Sequence, residues 1–206
     1  MQEYQSLIEI IALTMGVAWA SGINLYATLA VLGLAAGGGY IDLPDKLHIV
    51  QDPLVITAAI FMYCVEFFAD KTPGVDTGWD ALHTFIRIPA GALLAAGAVG
   101  NVDPALSVAA GLIGGTVTAA THTAKAGSRI LVNTSPEPFS NWGASLAADV
   151  TLFGGLWLAL SNPAVFVVAF IAFIALLIWV MPKLWRAIKH LFRKIAGWFR
   201  REPATV

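Results

Sequence analysis

The sequence predicts an all-α, polytopic integral membrane helical bundle of about six transmembrane helices. Two observations predict it. Hydrophobic residues make up 58% of the 206 residues and charged ones only 12%, where soluble domains carry about a quarter charged; so dry a surface suits lipid. Apolar stretches of spanning length also follow one another along the chain, separated by short polar loops.

Residues 7–38 form the first apolar stretch. One straight span needs roughly 20 residues, and Ser21, Gly22 and Asn24 stand mid-way. Glycine costs about 1 kcal/mol inside a helix, so a broken or re-entrant first segment is expected. Whether it crosses once or forms a hairpin stays open. MQEYQSLIEI lacks the basic opening of a signal peptide, so this first segment reads as retained. A polar loop, Tyr40–Pro53, precedes a second span at 54–69, and DKTPGVDTGWD forms the next loop. The third span is 81–100 and the fourth 105–133. The fifth is 143–160, and Asn162-Pro163 turns the chain into the sixth, 164–181, which carries no charge. Cys64 is the only cysteine, so no intrachain disulfide can form.

Two units are expected: a transmembrane domain at 1–182 and a basic tail at 183–206. Seven of the twelve Lys and Arg residues follow residue 182. At 100° per residue, Leu184, Ile188, Leu191, Phe192, Ile195, Trp198 and Phe199 fall on one side with Trp185. The cations, Lys189, Arg193, Lys194, Arg200 and Arg201 among them, fall on the other. This pattern suits an amphipathic helix lying on anionic headgroups; a coiled-coil or partner-docking helix is the alternative. Short basic loops stay inside, so the C-terminus is expected on the cytoplasmic side of the inner (plasma) membrane. Counting back, the loops at 70–80 and 134–142 are also inside.

Charges in spans cost about 2.5–3.5 kcal/mol each on insertion scales, so their spacing matters. Asp76, Asp80, His83 and Arg87 recur at helical intervals and share one stripe. Glu66 and Asp70 lie one turn apart, with Lys71 beside them. His122, Lys125, Arg129 and Asn133 make a second stripe, and Asn141, Ser145 and Asp149 a third. In the six-span topology all lie in the cytoplasmic half, so they are expected to face a common polar cavity. Stapling of helices by ion pairs is the competing expectation.

PGVDTGWDALHT (from Pro73) aligns without a gap with PFSNWGASLAAD (from Pro138), matching Asp76 to Asn141 and Asp80 to Ser145. A helix–loop–helix repeat, 54–98 and 105–160, would follow, with the starts of the helices near 76 and 141 facing an anion. No phosphate-binding loop, HExxH or GxSxG motif occurs. No cofactor, metal or nucleic-acid partner is therefore expected, and an enzyme is the less favoured class. His83 and His122 could each carry a proton.

The segments SGINLYATLAVLGLA, EFFADKTPGVDTGWDAL and IPAGALL resemble the small multi-pass membrane proteins of domain of unknown function 4126, found in bacteria and plastids. The similarity runs over most of 9–160, and Glu66 to Asp76 is its most specific part. The resemblance implies the membrane topology and names no substrate. The sequence itself favours a transporter or channel for a small ion or anionic solute, with Glu66 or Asp149 as the proton-coupling carboxylate. The alternatives are a lipid-handling flippase or intramembrane enzyme and a structural or assembly protein. Expected partners are anionic lipids, the transported solute and a second copy of the chain.

Overall fold

A computed structural model describes residues 2–134 and 138–199. It contains six long helices: α1 Gln2–Gly37, α2 Pro53–Ala69, α3 Val75–Ala98, α4 Pro104–Val132, α5 Pro138–Ser161 and α6 Pro163–Phe199. A 3-10 turn, Asp45–Gln51, leads into α2 and is bent from it by 64°. No strand occurs among the described residues. Five helices are long and apolar enough to cross a membrane, or six when the bent pair counts as one span. The protein is thus an all-α, multi-pass membrane bundle.

Local chemistry sets the helix starts. Asp52 and Asp103 each cap a helix that opens on proline, accepting from Leu54 N (2.8 Å) and Ala105 N (2.7 Å). Such caps contribute about 1 kcal/mol, and proline at the first position loses no hydrogen bond. Helices α3 and α5 begin five or six residues earlier than their apolar stretches, at Val75 and Pro138. Polar residues such as Asp76, Asp80 and Asn141 fit inside them because other helices cover them.

α1 is the central helix and touches every other one. It is kinked, not a hairpin. Asn24 has φ −154° and ψ 106°, and helix resumes directly after it. The Asn24 side chain accepts from Ala27 N at 2.9 Å, replacing the Ile23 carbonyl as that amide's partner. Around α1, Trp19 packs on Leu152 and Leu156 of α5 and Phe166 of α6. Leu25 and Leu32 pack on Leu47, Val50 and Leu94.

α3 and α4 meet through small residues, as membrane helices do where backbones approach closely. A Cβ on Gly115 would lie 3.1 Å from Ala92 Cβ, and one on Gly91 only 2.9 Å from Thr118 Cβ.

α6 runs unbroken through Pro182, so the expected division at 182/183 is not a helix end. Its first half presents Val168, Ile171 and Ile178 outward. Beyond Pro182, Leu184 and Ile188 are half-buried and pack over Gly127, while Lys183, Arg186, Lys189, Arg193 and Lys194 are exposed. Arg200 and Arg201 lie outside the described residues, as does the Trp198 side chain.

Candidate functional site

The C-terminal ends of α2 and α4 and the N-terminal ends of α3 and α5 enclose a buried charged network beside the kink of α1. Glu66, Asp76 and Arg87 are 0% exposed, Asp80 and Arg129 1%, Asp70 3% and Lys125 9%. Isolated ions at such depth are strongly disfavoured, and the three stripes converge so that each ion meets opposite charge.

Arg87 sits deepest. Its guanidinium donates to Glu66 Oε1, to Asp80 Oδ1 at 3.2 Å, to the Ile23 carbonyl at 3.3 Å and to His122 Nδ1 at 3.1 Å. Lys125 Nζ lies 2.8 Å from Asp70 Oδ2, 3.2 Å from Glu66 Oε1, 3.9 Å from Asp80 Oδ1 and 2.9 Å from the same Ile23 carbonyl. That carbonyl is available because the kink removes its helical partner. Two cations on the C-terminal end of the first half of α1 also suit the helix dipole.

Arg129 makes the outer layer. It donates to Asn141 Oδ1 at 2.6 Å, to Asp70 Oδ2 at 3.3 Å and to the Asp70 carbonyl, and stands 3.7 Å from Asp76 Oδ2. Asp76 also accepts from Gly74 N, Thr77 N, Asn133 and Asn141. Its carboxylate therefore fills the N-terminus of α3, where an external anion was expected. The aligned residues Asp76 and Asn141 touch each other and share Arg129.

Two groups stand to the side. His83 shares the α3 stripe but bonds the Trp79 carbonyl (2.9 Å) and Tyr26 OH (3.0 Å), and stacks on Trp79. Lys71 lies 3.9 Å from Asp149 and 3.4 Å from Ser145 Oγ, over the Phe67 ring. Burial holds the Lys71 ammonium below its ordinary value, against the opposing pull of Asp149 and Asp70.

The network is incompletely satisfied. Glu66 Oε2, Asp70 Oδ1, Asp80 Oδ2 and Arg87 Nε are buried without a hydrogen-bond partner. Buried polar atoms are normally bonded, so the protein's own groups leave part of the network's capacity unused. Among the described residues, no three His, Cys, Asp or Glu side chains converge as metal ligands do. Sequence reasoning missed three participants: the Ile23 carbonyl, Tyr26 and Thr84. Only Asn24, a polar residue in an apolar stretch, signalled the first.

A cavity of about 340 Å³ lies between α4 and the extension of α6, with Thr84 and His122 on a wall facing Leu184, Ile188 and Phe192. His122 Nε2 donates toward Thr84 Oγ1 (2.8 Å) and the Asp80 carbonyl (3.1 Å), while Nδ1 accepts from Arg87. It joins this cavity to the network.

Residues 11–183 match a family described as a domain of unknown function, DUF4126. The chain belongs to the DUF4126 family. The whole network, from Ile23 to Asp149, falls within the DUF4126 segment, whereas most of the basic extension of α6 falls beyond it. A search of curated proteins and a search of solved structures each return no match to this DUF4126 chain.

Proposed function

We propose that this DUF4126 protein moves a small ion or anionic solute across the membrane, as a transporter or channel. The observation that carries the reading is the kinked α1, whose freed Ile23 carbonyl meets Arg87 and Lys125 inside a buried network. Broken helices with backbone groups turned toward ions are how secondary transporters build their sites. Intramembrane ionisable residues are functional candidates by default. Glu66, Asp70, Asp80, Arg87, Lys125 and Arg129 form the centre of the path. Lys71, Asp76, Asn141, Ser145 and Asp149 form its outer mouth, with His83 and His122 flanking it. The mouth faces the cytoplasm of the inner membrane, because it shares its end of the bundle with the basic extension of α6. That extension engages anionic lipid headgroups through its exposed cations.

A second reading, lipid handling by a flippase or intramembrane enzyme, is supported by the cavity between α4 and α6, with polar Thr84 and His122 on its wall. A purely structural role is disfavoured by the bare carboxylate oxygens, since a staple needs none.

Purified protein in liposomes tests the choice. Ion flux is expected to fall at least tenfold in Asp80→Asn and in Arg87→Lys, each checked for folding. Wild-type flux in both variants defeats the transport reading. Movement of a fluorescent phospholipid between leaflets, lost in His122→Ala, would favour the second.

A further inference from the structure

We infer that the buried network holds one exchangeable proton shared by Glu66, Asp70 and Asp80 around Lys125, which makes the proton the ion moved or co-moved. The inference rests on the transport reading above and sharpens it.

The first argument is charge. Glu66, Asp70, Asp76 and Asp80 surround Arg87, Lys125 and Arg129, which leaves one negative charge uncompensated. Lys71 and Asp149 add one charge of each sign and do not alter the excess. The histidines stand outside this count: His122 Nδ1 accepts from Arg87, and His83 bonds Tyr26 OH and the Trp79 carbonyl rather than any of the four carboxylates. An uncompensated buried charge is strongly destabilising, so the network calls for one further positive charge.

The second argument is the bonding of individual oxygens. Both oxygens of Asp76 already accept hydrogen bonds, so it offers no bare oxygen. Glu66, Asp70 and Asp80 each turn one oxygen to the cations and leave the other bare. What the site lacks is mainly donors, which argues against an anionic occupant. A proton answers both needs, the excess charge and the bare oxygens, at once. It adds to one bare oxygen, forming an O–H bond and cancelling the excess charge, and leaves to water by the reverse step. Because Lys125 Nζ lies within 4 Å of all three carboxylates, the proton belongs to the set rather than to one residue. Tyr26 from α1, Tyr63 from α2, Lys71 from the turn after α2, His122 from α4 and Asp149 from α5 are the other titratable groups beside the set.

Infrared difference spectroscopy of the full-length protein in lipid, titrated with pH, tests this. One pH-dependent protonated-carboxyl C=O band is expected, reduced at least twofold or shifted by Glu66→Gln, Asp70→Asn or Asp80→Asn. Chain folding is checked by circular dichroism, and three conservative variants guard against one that fails to fold. The proposal is overturned if the band is absent at every pH, is changed only by Asp149→Asn, or responds to sodium and not to pH. Such results with ion flux intact leave the transport reading standing. The expected band with no flux of any ion leaves the proton site standing and removes the transport reading.

Discussion

Helices α3 and α4 hold each other in two different ways along one interface. Over the half running from Gly91 to Ala98, they are joined by glycine and alanine, and backbones approach closely with no polar group needed. Over the half from Asp76 to Arg87, they are joined by charge and polar bonds: Asp76 faces Arg129, Asp80 faces Lys125 and Arg87 bonds His122. The small-residue half gains from dispersion and leaves nothing unsatisfied. The charged half could have been replaced by apolar packing at little cost in stability, yet it retains a bare carboxylate oxygen on Asp80, beside those of Glu66 and Asp70 at the end of α2. Close packing explains adhesion; the charged half contains more than adhesion requires.

The largest test of this contrast removes one partner from the charged half. Arg87→Ala leaves Glu66 and Asp80 buried with Lys125 as their one remaining shared cation, an expected loss of about 3–5 kcal/mol. Thermal unfolding in detergent measures it, and an unchanged midpoint would mean that the pairs hold nothing together. A smaller effect is expected in the other half. Gly91→Val forces a side chain against Thr118, and overpacking of this kind costs about 1–3 kcal/mol. Since that half carries no ions, the flux of whatever protein remains folded is expected to stay near wild type. A Gly91→Val protein that is stable but inactive would break the division between the halves.

Much of the charged half was legible before any coordinates, and the reason is physical. Intervals of four and seven residues place Asp76, Asp80 and Arg87 on one face, and lipid leaves such a face only other charges to meet. The spans themselves followed from length and apolarity. What stayed hidden was backbone. The carbonyl of Ile23 carries no signature in its side chain, and its role appears only when Asn24 takes over the Ala27 amide. The helix starts at Val75 and Pro138 were also hidden, because polar residues buried by other helices look like loop. The passage of α6 through Pro182 ran against a rule of local chemistry, since that helix is placed by packing over Gly127.

Asn24 links the hidden and the legible parts and gives a third test. Asn24→Ala removes a cap worth about 1 kcal/mol and favours a continuous helix, in which the Ile23 carbonyl bonds Ala27 N again. Arg87 and Lys125 would each lose an acceptor. Stability is expected to fall by about 1 kcal/mol while ion flux falls far more, because the kink serves the network rather than the apolar core. Equal losses in both would make the kink structural.

The smallest expected effect concerns the basic extension of α6, whose cations point away from both halves. Lys189 stands over the Trp185 ring, 5.1 Å from its centroid, and both residues are exposed while Leu184 and Ile188 pack on α4. Exposed cations near an anionic leaflet contribute about 1 kcal/mol each, and salt screens them within about 10 Å at 0.1 M. Lys189→Gln is therefore expected to lower stability by about 1 kcal/mol or less in anionic nanodiscs, with no change in neutral ones or at high salt. A loss of the same size in neutral lipid would assign Lys189 to packing within the bundle. The extension would then join the small-residue half of the α3–α4 interface in its physics, holding by contact rather than by charge.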